Sequence, residues 1–243
     1  MSTVFGFDVW PAGGQTPDSL PCRLFRPTPC LEGQRYPLLV YFHGAGSWGS
    51  DNLAPLTLAK TFADETLQAD HPCFIAAPQC PRERRWVDTP WTLSEHRQPP
   101  ITPEMSRVLA IVDALLKACP IDRRRVYALG VSMGGFAVWD VLARRPDLFA
   151  AAVPICGGGD ETTALLIRHI PLWAFHGALD SVVRVTRSRN MIRALERAGG
   201  RPRFTEYPET GHDAWTPAFR EPGLFDWLFR QARPELPPRT EAP

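Results

Sequence analysis

The stretch Gly130-Val131-Ser132-Met133-Gly134-Gly135 decides the fold of this chain of 243 residues. It follows the apolar run 125–129 and precedes an apolar, helix-like run over 136–143. A serine between glycines at a strand-to-helix turn is typical of a nucleophile elbow, which exposes the serine hydroxyl above the edge of a sheet. Glycines suit this turn because they carry no Cβ atom to crowd it. The stretch therefore predicts that Ser132 is a nucleophile.

Short apolar segments alternate with longer helical ones on both sides of this turn. The predicted strands are residues 36–42, 72–78, 125–129, 149–156, 171–177 and 203–207, and the predicted helices are about 53–66, 103–118, 134–144, 186–198 and 217–230. This alternation favours right-handed crossovers and a mostly parallel central sheet with helices on both faces, an α/β fold. Residues 4–10 and 20–26 are predicted to add antiparallel strands at one edge.

Length and composition predict one soluble domain. We expect it to span residues 1–232, with an N-terminal edge-strand region over 1–20 and a flexible tail over 233–243. The net charge of +1 argues against nucleic acid or a membrane surface as a partner. Scattered cysteines without a CxxC pair argue against a metal site. Without a signal-like or membrane-spanning segment, a cytoplasmic location is expected.

A serine hydroxyl needs a base to attack a carbonyl at neutral pH. The best candidate is His212, in a turn after the last predicted strand. The alternative is His96, in a proline-rich loop. His43 and His176 end predicted strands and are expected to be structural.

The imidazole in turn needs a carboxylate to hold its orientation and stabilise its charged form. Asp180 follows the fifth predicted strand. The order Ser132, Asp180, His212 along the chain puts the nucleophile first, the acid second and the base third, as is found with a nucleophile elbow. The alternatives, in decreasing order, are Asp160 and Glu161, then Asp213.

Backbone N–H groups must stabilise the oxyanion that forms during attack. One predicted donor is Met133, directly after the nucleophile. The second is expected from the loop after strand 36–42, where Ala45 is the first choice and Gly46 the second.

Four tryptophans follow predicted strand ends or motif residues, and each is a candidate either for a substrate pocket or for structural packing. They are Trp48, Trp86, Trp91 and Trp215, and Gly46 joins them as a candidate substrate contact. Three others fall within regular elements and are expected in the core: Trp139, Trp173 and Trp227. The segment from about 81 to 102 is expected to cover part of the site.

The residues His43-Gly44-Ala45-Gly46 through Asn52, the elbow, His176-Gly177 with Asp180, and Gly211-His212 together resemble those of α/β-hydrolase serine esterases. The similar groups are the phospholipase/carboxylesterase, dienelactone-hydrolase-like and feruloyl-esterase-like enzymes. The resemblance covers roughly residues 20–231 and implies a single-domain α/β-hydrolase fold and a cofactor-free serine hydrolase acting on a small-molecule ester. Dienelactone hydrolases use a cysteine nucleophile, so the serine at position 132 argues against that reaction.

Two other functions stay open. One is a peptidase or amidase of the prolyl-oligopeptidase lineage, which shares the same triad and is distinguished by comparing matched ester and anilide substrates. The other is a binding protein that keeps the fold without catalysis, which an organophosphate would not label at Ser132.

Overall fold

A computed structural model describes residues 3–11 and 19–234. These residues form a sheet of eight strands in the order β1-β2-β4-β3-β5-β6-β7-β8. The strands are β1 (Phe7–Trp10), β2 (Cys22–Phe25), β3 (Tyr36–Phe42), β4 (Phe74–Pro78), β5 (Ile121–Val131), β6 (Ala151–Ile155), β7 (Trp173–Gly177) and β8 (Arg203–Tyr207). β2 pairs antiparallel with β1 and β4, and the other neighbours are parallel. The predicted parallel sheet with antiparallel strands at one edge is confirmed.

Helices connect these strands. They are α1 (Leu56–Ala59), α2 (Glu65–Asp70), α3 (Pro103–Ala118), α4 (Met133–Arg144), α5 (Ala164–Ile167), α6 (Thr186–Arg197), α7 (Trp215–Ala218) and α8 (Leu224–Phe229). α3 has the predicted bounds because its start is encoded locally. Pro103 occupies its first turn, and the Thr102 hydroxyl accepts a hydrogen bond from Met105 N–H at 3.0 Å.

Two predicted helices are interrupted. The segment 53–66 forms α1 and a 3-10 turn at Lys60–Ala63, after which Asp64 caps a new helix, α2, by accepting from Thr66 N–H at 3.0 Å. The segment 217–230 divides into α7 and α8 around Gly223, whose φ of 75° lies in the left-handed region. Both predictions of one continuous helix are therefore wrong.

The sheet separates two apolar cores. Alternate residues of β3 enter opposite cores, with Leu38 and Val40 on one side and Leu39 and Tyr41 on the other. The first core is covered mainly by α3, α4 and α6, and the second by α1, α7 and α8. Helices cover both faces of the sheet, so the carboxyl ends of the parallel strands stay open. Ligands bind beyond these strand ends in such sheets.

Both predicted terminal regions include residues outside the described ranges. Of the predicted tail 233–243, only Arg233 and Pro234 are described, and Arg233 N–H donates to the Arg124 carbonyl at 2.9 Å. The predicted region 1–20 likewise includes residues outside the described part. Among the described residues, no helix has the length and apolarity needed to cross a membrane.

Candidate active site

The elbow joins β5 to α4 through a strained residue. Ser132 has φ 56° and ψ −118°, a conformation that residues with a side chain rarely adopt. Its N–H donates to the Ile155 carbonyl of the neighbouring strand at 2.8 Å. The turn also demands small residues, because a Cβ atom on Gly130 would lie 2.3 Å from the Gly134 carbonyl oxygen. The elbow thus holds the Ser132 side chain at the carboxyl ends of the parallel strands.

Three side chains from different strand ends meet there. His212 Nε2 lies 2.8 Å from Ser132 Oγ, and His212 Nδ1 lies 2.7 Å from Asp180 Oδ2. A carboxylate only accepts hydrogen bonds, so Nδ1–H donates to Asp180 and Nε2 accepts from the serine hydroxyl. The structure therefore brings the three predicted residues into one line of hydrogen bonds.

Asp180 is fixed on both oxygens. Oδ1 accepts from the N–H groups of Val182 at 2.8 Å and Val183 at 2.9 Å. Oδ2 accepts from His212 and also lies 3.2 Å from His176 Nε2. Burial alone raises the pKa of Asp180, but the hydrogen bonds from His176, His212 and Val183 outweigh it and hold this pKa well below its usual range. Asp180 is thus a buried carboxylate that remains charged.

Two further buried side chains contact this pair of residues, His176 next to Asp180 and Cys156 next to His212. His176 Nδ1 lies 2.7 Å from Ser188 Oγ, and its Nε2 also lies 2.8 Å from the Val183 carbonyl. The Cys156 thiol donates to the His212 carbonyl at 3.1 Å, and burial raises its pKa to about 12. Cys156, His176 and Asp180 have ligand atoms within 4.8 Å of one another. Each of these three groups has hydrogen-bond partners within the protein, and those bonds account for their proximity.

The predicted oxyanion donors flank Ser132. Met133 begins α4, so its N–H has no acceptor within the helix. Ala45 begins a 3-10 turn in which Ser47 N–H is the donor to the Gly44 carbonyl at 3.1 Å, so that turn leaves the Ala45 and Gly46 N–H groups unused. A Cβ atom on Gly44 would lie 3.4 Å from Ser132 Cβ, which shows how closely this loop passes the elbow.

A cavity of about 330 Å³ opens over Ser132. Its other walls are the Gly44–Ser47 loop, His212 and a set of apolar side chains: Leu58, Trp91, Val131, Val182 and Trp215. A larger cavity of about 890 Å³ lies between α1–α2 and α7–α8 and is lined by neither Ser132 nor His212. Of these two cavities, the smaller one is therefore the one that borders Ser132 and His212.

The four candidate pocket tryptophans divide into two groups. Trp91 and Trp215 line the cavity. Trp48 packs against Trp91 with ring centroids 6.1 Å apart but is not among the residues that line the cavity. Trp86 is fully buried in the first core and donates from Nε1 to the His43 carbonyl at 3.1 Å. The structure thus assigns Trp86 to packing instead of substrate contact, because its polar atom is bonded to the backbone within the core.

The alternative acid–base residues are bonded elsewhere. His96 contacts Arg187, Asp160 accepts from Gln98 N–H at 2.8 Å, and Asp213 accepts from Thr216 N–H at 3.1 Å. Glu161 lies in a separate 3-10 turn, Glu161–Thr163. None of these groups shares a hydrogen bond with His212 among the contacts of the described residues.

Sequence reasoning missed Leu58 and Val182 as cavity residues and the support that His176 gives Asp180. Leu58 lies in a segment predicted as helix, where nothing distinguishes a residue facing the cavity from one facing the core. The contact between His176 and Asp180 did have a signal in the sequence. The two residues lie four positions apart across the end of a strand, and this spacing can bring their side chains together.

Several known proteins are similar to this chain in sequence or in fold. A solved thermostable esterase is 36% identical and superposes with a TM-score of 0.85, covering 95% of this chain and 64% of that one. The chain has the α/β-hydrolase fold. Its residues 102–173 match the prolyl oligopeptidase family. A ferulic acid esterase, 17% identical over 86% of this chain and 92% of its own, shares the fold with a TM-score of 0.65.

A curated relative also matches part of this chain. It is the bifunctional acetylxylan esterase/xylanase XynS20E of Neocallimastix patriciarum, 27% identical over 92 residues. The match covers 38% of this chain and 14% of the relative. The chain thus spans less than two thirds of the length of either the thermostable esterase or XynS20E.

Proposed function

We propose that this α/β-hydrolase hydrolyses carboxylic esters of small molecules through an acyl-enzyme on Ser132. The observation that carries the proposal is the line of hydrogen bonds from Ser132 Oγ through His212 to Asp180, at 2.8 and 2.7 Å, beside a cavity with apolar walls. The relatives named as esterases support the choice of an ester bond.

The first half of the reaction forms the acyl-enzyme. His212 Nε2 takes the hydroxyl proton as Ser132 Oγ attacks the ester carbonyl carbon, and Asp180 stabilises the imidazolium. The N–H groups of Met133 and Ala45 hold the oxyanion. When the tetrahedral intermediate collapses, the bond to the alcohol oxygen breaks and His212 returns its proton to that oxygen.

The second half releases the acid. Water enters the position left by the alcohol, His212 removes one of its protons, and the resulting hydroxide attacks the acyl carbon. Collapse of the second intermediate breaks the bond to Ser132 Oγ, which regains its proton from His212. Protein groups supply the nucleophile, the base and the oxyanion donors, so the proposed reaction requires no cofactor.

A peptidase is the second candidate because residues 102–173 match the prolyl oligopeptidase family. The values of kcat/KM for p-nitrophenyl acetate and p-nitroacetanilide distinguish the two functions. These substrates share an acyl group and differ in the leaving atom. Because an amide needs stronger protonation of its leaving group, we expect kcat/KM for the ester to exceed that for the anilide by at least about 100-fold. An anilide hydrolysed as fast as the ester would favour the peptidase.

Asp180→Asn is expected to lower kcat for p-nitrophenyl acetate by about 10³- to 10⁴-fold, since the amide no longer stabilises the His212 imidazolium or holds its tautomer. Asp213→Asn is the matched control, because Asp213 is exposed and accepts from Thr216 rather than from the base. Steady-state kinetics at pH 8 measure both. Equal losses in the two variants would contradict the role of Asp180.

A further inference from the structure

Arg187, near the start of α6, is a fully buried cation outside the proposed triad. Its guanidinium lies over the Phe136 ring, with Cζ 5.4 Å from the ring centroid. Glu161 and Glu95 act on it only at longer range, and it forms no ion pair among the described residues. Burying a charge without a carboxylate partner is costly, so its retention points to a role for its specific contacts.

The contacts of Arg187 tie the segment 91–96 to the body of the protein. One terminal nitrogen donates to the Leu93 carbonyl at 3.0 Å. The other donates to the Gly159 carbonyl at 3.2 Å and to Nδ1 of His96. Burial and the neighbouring Arg187 charge lower the pKa of His96 to about 4, so the imidazole is neutral near pH 7 and can accept this hydrogen bond.

The anchored segment carries one wall of the cavity over Ser132. Residues 79–102 form no helix or strand. Trp91, which lines the cavity, lies inside a turn closed by Leu93 N–H and the Pro90 carbonyl at 3.3 Å. The end of that turn is the Leu93 carbonyl that Arg187 holds. The following residues have a different anchor, because Asp160 accepts from the Gln98 N–H at 2.8 Å and from Arg97 at 3.3 Å.

We propose that Arg187 is a positioning residue that fixes segment 91–96, and with it the Trp91 wall, and so sets the preference of the enzyme for esters with aromatic groups. The substrate class in this inference rests on the proposed function. The restraint on segment 91–96 is structural and does not depend on that function. A fixed indole gives an aromatic group a preformed face to pack on, whereas a mobile segment must be ordered each time the substrate binds.

Hydrogen exchange tests the restraint without relying on turnover. Arg187→Met fills a similar volume but cannot donate to Leu93 or His96, and we expect amides of residues 91–96 to exchange at least about tenfold faster. Arg193→Met makes the same change on an exposed face of α6 and should leave their exchange unchanged. If Arg187→Met does not fold, Arg187→Lys keeps the charge and part of the donor set and should show a smaller increase. Unchanged exchange in the folded variants overturns the proposal.

Kinetics test the consequence for specificity. Ethyl acetate is small on both sides of the ester, and p-nitrophenyl benzoate is aromatic on both sides. In Arg187→Met we expect KM for the benzoate to rise about fivefold with kcat within about twofold, while KM for ethyl acetate stays constant. Equal changes for both esters would overturn the specificity role. Should the wild-type protein hydrolyse neither ester, the proposed function fails, and the exchange measurement still decides the restraint.

Discussion

Ser132→Ala is expected to lower kcat for p-nitrophenyl acetate by at least about 10⁴-fold while leaving the fold intact. The side-chain contact that disappears is the hydrogen bond to His212 Nε2, and the His212 side chain is 22% exposed, so water can replace it. Alanine and serine both carry a Cβ atom, so the substitution adds no atom that could clash at the positive φ of this position. We therefore expect Tm to change by no more than about 2 °C.

The same variant tests the covalent step. A fluorophosphonate should add one phosphonyl group to the wild-type chain, at Ser132, and none to Ser132→Ala, as read by intact mass and peptide mapping. Ser106→Ala, an exposed position of α3, is the matched control and should be labelled like the wild type. Retention of more than about a tenth of the turnover by Ser132→Ala would contradict an acyl-enzyme on this residue.

Gly134→Ala is expected to cause the largest loss of stability of any single methyl group added to the site. The new Cβ atom would lie 1.9 Å from the Phe42 carbonyl oxygen and 2.9 Å from that of His43. These atoms belong to the last residue of β3 and the residue after it, and β3 pairs with β4 and β5 and cannot move aside alone. We expect a destabilisation of about 3 kcal/mol and a fall in Tm of about 6–12 °C.

Thermal unfolding followed by circular dichroism measures this effect. Gly211→Ala is the matched stability control, because the nearest atom to its new Cβ would be the Leu179 carbonyl oxygen at 4.0 Å. Its Tm should stay within about 2 °C of the wild type. A Gly134→Ala protein with the Tm of the control would show that α4 can separate from β3 without cost.

The sequence was sufficient to predict the strands and to place the candidate site at the carboxyl ends of the parallel ones. Strands buried on both faces read as continuous apolar runs, and the carboxyl ends of parallel strands converge at one edge of the sheet. Ser132, Asp180 and His212 could therefore be placed together before any coordinates. α3 was predicted with its bounds because Thr102 and Pro103 mark its start within the chain itself.

Features that depend on distant contacts could not be predicted. Trp86 and Trp91 lie in the same irregular segment and look equivalent in sequence, yet one packs under His43 and the other faces the cavity. The breaks before α2 and before α8 arise where a local cap or a left-handed glycine competes with helical periodicity. Arg187 belongs to a predicted helix, and no local pattern distinguishes it from the exposed arginines of that helix.

The contact between Gly134 and the end of β3 also divides the site into a constant part and a variable part. Ser132 and the Gly44–Ser47 loop are joined through backbone packing of central elements, where substitutions are poorly tolerated. Trp91, by contrast, is carried on an irregular segment held by a few side chains. Under the proposed function, sequence changes in that segment would alter the range of accepted esters without altering Ser132, Asp180 or His212. That segment is therefore the natural target for directed evolution.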